Sequence, residues 1–174
     1  MSLTHRWSYC GFLTALAAAA ILAVMASRSC AAELSPADLK KIQDALPEKA
    51  TAQPAKPRKI LLFGRCEGFN HVGGILAGNA AFRLMGEKTG AWSSVESIEM
   101  KVFEPDTLNQ FDAIVFNNST ALKFQNPDHR NALMEFGKGG KGVVGVHSAV
   151  DNFYNWPEAA EMMGALFAGH PWGR

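Results

Sequence analysis

The chain has 174 residues, of which 48% are hydrophobic and 19% charged, with 17 Lys and Arg against 16 Asp and Glu. That length suits one domain with accessory segments, and a formal charge of +1 excludes a strongly basic nucleic-acid binder and an acidic disordered tail. Sixteen glycines and eight prolines exclude fibrous and low-complexity classes.

The first predicted element is a leader over residues 1–32. Arg6 is followed by an uncharged run from Trp7 to Met25 centred on Leu13, Leu16, Ile21 and Leu22, and then by the small residues Ser29, Ala31 and Ala32. A basic start, an apolar stretch and a small-residue exit describe a secretory signal peptide, which places the mature chain outside the cell or in the periplasm without a stable membrane anchor. The competing reading is a retained anchor, since the run is nearly long enough to span a bilayer. Lipidation at Cys30 fits less well, because Ser27-Arg28-Ser29 precedes it. Removing residues 1–32 leaves 15 basic against 16 acidic residues and Cys66 as the single cysteine. One cysteine closes no intramolecular disulfide, so stability must come from a packed core.

Residues 33–58 read as a short helix and a linker. Over Leu34 to Leu46, Ser35 suits an N-cap, Pro36 the first helical position and Asp38 the positive end of the dipole. Leu39, Ile42 and Leu46 share a face. Pro47, Pro54 and Pro57 then mark an extended linker. From Lys59 the pattern alternates. Lys59 to Phe63 is a continuous apolar run suited to a buried parallel strand, and Gly73 to Lys88 a helix burying much of its surface. A second strand is expected within Val95 to Val102 and a third at Asp112 to Asn117. A helix over Pro127 to Lys138 points Leu133, Met134 and Phe136 inward, Gly142 to His147 forms a fourth strand, and Pro157 to Phe167 a last helix. This order argues a doubly wound α/β fold with a mostly parallel sheet between two helix layers. In such sheets the site lies beyond the carboxyl ends of the strands.

Three loops fall there. The first, Gly64 to Gly74, is glycine-rich but is neither a Walker loop nor G-x-G-x-x-G. His71, just before the helix, reads either as a capping or surface side chain or as a site residue, and Cys66 as an incidental thiol. The second, Asn117-Asn118-Ser119-Thr120, either closes a turn or binds a hydroxylated ligand through Asn118 and Thr120. The third, Gly145-Val146-His147-Ser148-Ala149, has the small-x-residue-x-small form of a nucleophile elbow, with imidazole at the apex. Histidine there suits acid/base chemistry, a metal ligand or a substrate hydrogen bond rather than acyl transfer. Asp151, Tyr154 and Trp156 add a carboxylate, a phenol and an aromatic platform on which a sugar can pack, and His170 follows the last helix. His71, His147, His170 and Asp151 admit a metal reading, although their spacing matches no fixed ligand motif.

At these residues the sequence resembles the ThuA-like (trehalose-utilisation) family. The matching pieces are Lys59 to Phe63 leading into Gly68-Phe69-Asn70-His71, Phe111 to Thr120, Gly140 to Ala149, Asp151 to Trp156, Gly164 to Phe167 and His170-Pro171. The resemblance covers about Lys59 to Arg174 and implies a class I glutamine amidotransferase-like, flavodoxin-related α/β fold. Glutaminase activity is not implied, since His147 stands at the elbow position. The family's domain runs past His-Pro, so the chain reads as C-terminally truncated. The resemblance also implies a role in trehalose and 3-keto-sugar metabolism, with sugar-active or cytochrome-type proteins as partners.

The sequence therefore predicts a secreted sugar-processing protein. His147 is the expected acid or base and His71 and Asp151 its assistants, with Asn118, Thr120, Ser148, Tyr154, Trp156 and His170 on the substrate. No cofactor is required by this reading. The rivals are a non-catalytic carbohydrate-binding module and a metal-dependent hydrolase, for which a divalent metal would be the cofactor.

Overall fold

The computed structural model describes residues 33–171. The leader expected over residues 1–32 lies outside the described residues.

Four strands form the sheet: β1 (Lys59–Phe63), β2 (Ser93–Ser97), β3 (Ala113–Asn117) and β4 (Gly142–Val146). They are all parallel, in the spatial order β2-β1-β3-β4. That order, with helices on both faces, is the flavodoxin-like arrangement. Leu61 pairs with Ile114, which pairs with Val143, and side chains alternate faces along each strand. Leu61, Phe63, Ile114 and Phe116 enter one core cluster, Ile60, Leu62 and Val115 the other. Both faces of β1 and β3 are covered, which is why these strands read as unbroken apolar runs. A fully buried Leu or Phe in such a strand contributes about 1.5–3 kcal/mol.

The helices are α1 (Pro36–Ala45), α2 (Val72–Thr89), α3 (Pro105–Leu108), α4 (Pro127–Lys138) and α5 (Pro157–Met163). On one face Phe82 of α2 packs against Ile60, Leu62 and Val115. On the other, Leu108 of α3, Leu133 and Phe136 of α4 and Ala159 of α5 join the larger cluster. Its centre is aromatic: Phe103 meets Phe63 at 4.9 Å and Phe124 at 4.6 Å, edge to face in both cases. The Asn126 side chain caps α4 by accepting from Asp128 N at 2.9 Å, and Ser35 caps α1 in the same way. Leu46 is extended before Pro47, as the residue preceding proline favours, and α1 ends there. The segment after α1 lies against the domain rather than away from it. Lys88 Nζ reaches Leu46 O and Glu48, and Lys56 and Arg58 pair with Asp112.

Several boundaries differ from the expected ones for physical reasons. The second strand is Ser93–Ser97 rather than part of Val95 to Val102, because Ser97 stands opposite Phe63, the last residue of β1, and no partner remains beyond it. The chain then turns through a 3-10 segment, Met100–Phe103, that buries Val102 and Phe103. The last helix stops at Met163 instead of Phe167, where Gly164 takes a left-handed cap at φ 83°. Helix α2 was expected to bury much of its surface, yet Ala80 and Gly86 are its buried residues. It rests on the sheet through glycines. A Cβ at Gly78 would overlap the Asn117 amide, and one at Gly86 would sit 2.5 Å from the Trp92 indole nitrogen. The fourth strand ends at Val146, so His147 opens a 3-10 turn, His147–Val150, rather than closing the strand.

Candidate active site

The carboxyl ends of β1, β3 and β4 carry the three loops that the sequence singled out. His71 occupies the N-cap position of α2, and His147 the first position after β4. The two imidazoles meet, with ring centroids 4.8 Å apart and planes at 80°. The Phe69 ring also packs against His71, with centroids 4.8 Å apart. His147 is exposed and has φ 50°, the left-handed conformation that favours glycine. The elbow geometry expected at Gly145-Val146-His147-Ser148-Ala149 is thus present. Room for it comes from the small residues, since a Cβ at Gly145 would meet Met163 at 2.6 Å and Ala149 at 3.2 Å.

The Asp151 carboxylate lies just beyond this turn. Tyr154 Oη is 2.6 Å from Asp151 Oδ1 and 2.9 Å from Phe167 O, so one hydroxyl hydrogen faces two acceptors. Burial of the hydroxyl end, then the hydrogen bond to Asp151 and its negative charge, push the Tyr154 phenol up to about 12. Tyr154 is therefore a fixed neutral donor rather than a base near neutral pH. Its ring remains half-exposed, and the backbone N–H of Phe167 donates to Val150 O at 2.9 Å. These two bonds tie the segment after α5 to the elbow, and the ring of His170 rests on Phe167 at 4.9 Å.

Other expected ligand residues turn out to be parts of the frame. Asn118 is buried, with its Nδ2 donating to Asn117 Oδ1 at 2.8 Å, and Cys66 Sγ donates to its backbone oxygen at 3.2 Å. Thr120 is fully buried, and its Oγ1 donates to Phe69 O at 2.8 Å, which ties the β3 loop to the segment that carries His71. Trp156 was expected as an exposed sugar platform. It is 7% exposed and packs against Phe124 and Phe153, with centroids 5.4 and 5.6 Å away. It joins the same buried cluster as Phe124, Phe153 and Ala159. Ser148 Oγ is buried without a hydrogen-bond partner among the described residues.

Two asparagines hold the loops together, Asn117 from the second of the expected loops and Asn152, which the sequence does not single out. Asn152 is fully buried; its Nδ2 donates to Ser119 O, Ser119 Oγ and Ala149 O at 2.9–3.2 Å, and its Oδ1 accepts from Leu122 N at 2.8 Å. Asn117 donates to Ile75 O at 2.9 Å and to Asn79 Oδ1 at 2.7 Å, fixing α2 over the end of β3. A polar residue directly after the apolar run Ala113 to Phe116 was a visible signal for Asn117; nothing local marked Asn152. Among the described residues no three His, Cys, Asp or Glu side chains converge as a metal site requires. Nor is any helix there long and apolar enough to cross a membrane.

A family model described as trehalose utilisation, ThuA, matches residues 59–173, well over half of the chain. The chain belongs to the ThuA family. Membership links it to trehalose and sugar utilisation. The matched span begins with β1 and takes in all four strands and both histidines of the pair. Comparisons with curated proteins and with solved structures return no match.

Proposed function

We propose that this ThuA protein acts on a disaccharide or keto-sugar by acid/base chemistry at the His71–His147 pair, on the exported side of the membrane. The observation that carries the reading is the ring contact at 4.8 Å between two histidines far apart in sequence, one of them exposed at a left-handed elbow. Imidazole gives and takes protons near neutral pH, and two of them side by side can remove a proton from one position of a sugar while returning one at another. His147 is the acid or base and His71 its partner. Asp151 and the Tyr154 hydroxyl border the elbow and offer acceptor oxygens to sugar hydroxyls, the one Tyr154 hydrogen being already shared between Asp151 and Phe167 O. Trp156 is not an exposed sugar platform, since its ring packs against Phe124 and Phe153.

Replacing His147 by Ala in the full chain is expected to lower turnover of a keto-disaccharide or disaccharide panel by about 100-fold or more, the usual worth of a positioned acid or base. Circular dichroism should show the fold retained. Turnover unchanged in His147→Ala overturns the assignment. Turnover that survives dialysis against a chelator would remove the metal-dependent hydrolase. Export rests on the pattern of residues 1–32, and a mature chain starting at residue 32 or 33 in the exported fraction is the corresponding check.

A further inference from the structure

We propose that the pocket between the β3 loop and the turn after the elbow, lined by Lys123, Arg130, Tyr154, Asn155 and Trp156, binds the anionic group of a sugar acid or sugar phosphate. This inference rests on the sugar reading of the preceding section and narrows its substrate class. The pocket has a volume of about 360 Å³, enough for one monosaccharide unit. Two cations line it, and neither Lys123 nor Arg130 has a carboxylate partner among the described residues.

The guanidinium is held in place before any ligand arrives. Arg130 Nε donates to Phe124 O at 2.6 Å and Nη2 to Lys123 O at 3.3 Å, while its centre lies 5.4 Å from the Trp156 ring. Those bonds use two of its five N–H groups, and the other three remain for a planar or tetrahedral oxyanion. Two carboxylates of the neighbouring loops are engaged elsewhere. Glu67 pairs with Arg65 at 2.9 Å and accepts from Lys123 N, and Asp151 holds the Tyr154 hydroxyl. Neither lines the pocket. The half-exposed face of Tyr154 and the exposed amide of Asn155 supply an apolar surface and a hydrogen-bonding group for a sugar ring.

The backbone around the pocket is strained. Ala121, Phe124 and Phe153 have φ values of 52°, 42° and 62°, and none is glycine. Such conformations cost about 1–3 kcal/mol each and persist where the surroundings enforce them, commonly at ligand sites. Asn152 and the bond from Ala121 N to Asp151 O enforce them here. Tyr154 joins the two sites, since its ring lines the pocket and its hydroxyl meets Asp151 beside the elbow.

The test is calorimetric titration of the full chain with glucuronate, glucose 6-phosphate, glucose, trehalose, inorganic phosphate and acetate. At least one sugar anion should bind about tenfold tighter than glucose, and Lys123→Gln and Asn155→Asp should each weaken it by about tenfold. Both positions are exposed, so neither change disturbs the core. Glucuronate against glucose 6-phosphate decides between a carboxylate and a phosphate. Three results overturn the inference: equal affinity for charged and neutral sugars, indifference to both substitutions, or phosphate or acetate alone binding as tightly as the matching sugar anion. His147→Ala should keep the charge preference. Failure of the acid/base role appears as turnover surviving that change, whereas failure of this inference appears as binding blind to sugar charge.

Discussion

The two ends of the sheet solve the same geometric problem differently. At the amino end, left-handed backbone falls on glycine: Gly90 after α2 at φ 68° and Gly140 before β4 at φ 85°. Nothing lies within 4 Å of where a Cβ would stand at either position, so glycine serves the backbone there and not the packing. At the carboxyl end the same region is occupied by Asn118, Ala121, Phe124, His147 and Phe153. All five non-glycine residues with positive φ among those described lie in the loops after β3 and β4. The amino end is also tied by simple electrostatics. Asp112 accepts from Lys59 N at 3.0 Å and from Arg58 at 2.9 Å, and these bonds hold its carboxyl below the usual range. At the carboxyl end, backbone strain is offset by buried amides, above all Asn152, and by burial of the Phe124 and Phe153 rings. One end is built for stability; the other spends conformational strain to aim side chains.

The largest expected effect comes from removing the amide that restrains the strained end. Asn152→Ala removes the hydrogen bonds to Ser119 O, Ser119 Oγ, Ala149 O and Leu122 N. Urea unfolding of the full chain should show a loss of about 4 kcal/mol, roughly one for each bond broken. A loss below about 0.5 kcal/mol would mean that the loops hold themselves and that the contrast between the ends is overstated.

A reciprocal pair of changes probes the strain itself. Gly140→Ala puts a Cβ on a left-handed residue in open space and should cost about 1–2 kcal/mol. His147→Gly relieves the same conformation at the other end, so the chain should keep its stability or gain up to about 1 kcal/mol while turnover disappears. Equal losses from both substitutions would show that the elbow carries no strain.

The smallest effect is a matter of pH. Tyr154 has a folded pKa of about 12 against an ordinary 10.0. A raised pKa gives stability that is complete below pH 10 and is lost as pH rises from there through 12. The melting temperature of the wild type should therefore fall more steeply across that window than that of Tyr154→Phe. Parallel curves would show that the hydroxyl is not held between Asp151 and Phe167 in solution.

Sequence by itself determined the two central strands and the start of α1. Lys59 to Phe63 and Ala113 to Phe116 are apolar at every position after their first residue or throughout, because both faces of a central parallel strand are covered. Local capping chemistry marked α1, and the small residues around His147 announced the elbow. Only the tertiary structure decided the rest. The end of β2 depends on the length of its neighbour β1, which no local pattern encodes. Whether Trp156 faces a ligand or the core depends on Phe124 and Phe153 arriving from other segments. Asn118 and Thr120 read as ligand groups because their chemistry is the same whether the partner is a sugar or a backbone carbonyl, and burial chose the carbonyl and the neighbouring amide. The meeting of His71 with His147 and the pocket of Lys123 and Arg130 likewise join residues that the sequence keeps apart. Periodicity and caps are read within a few residues of chain, whereas a site is a set of distances that only packing fixes.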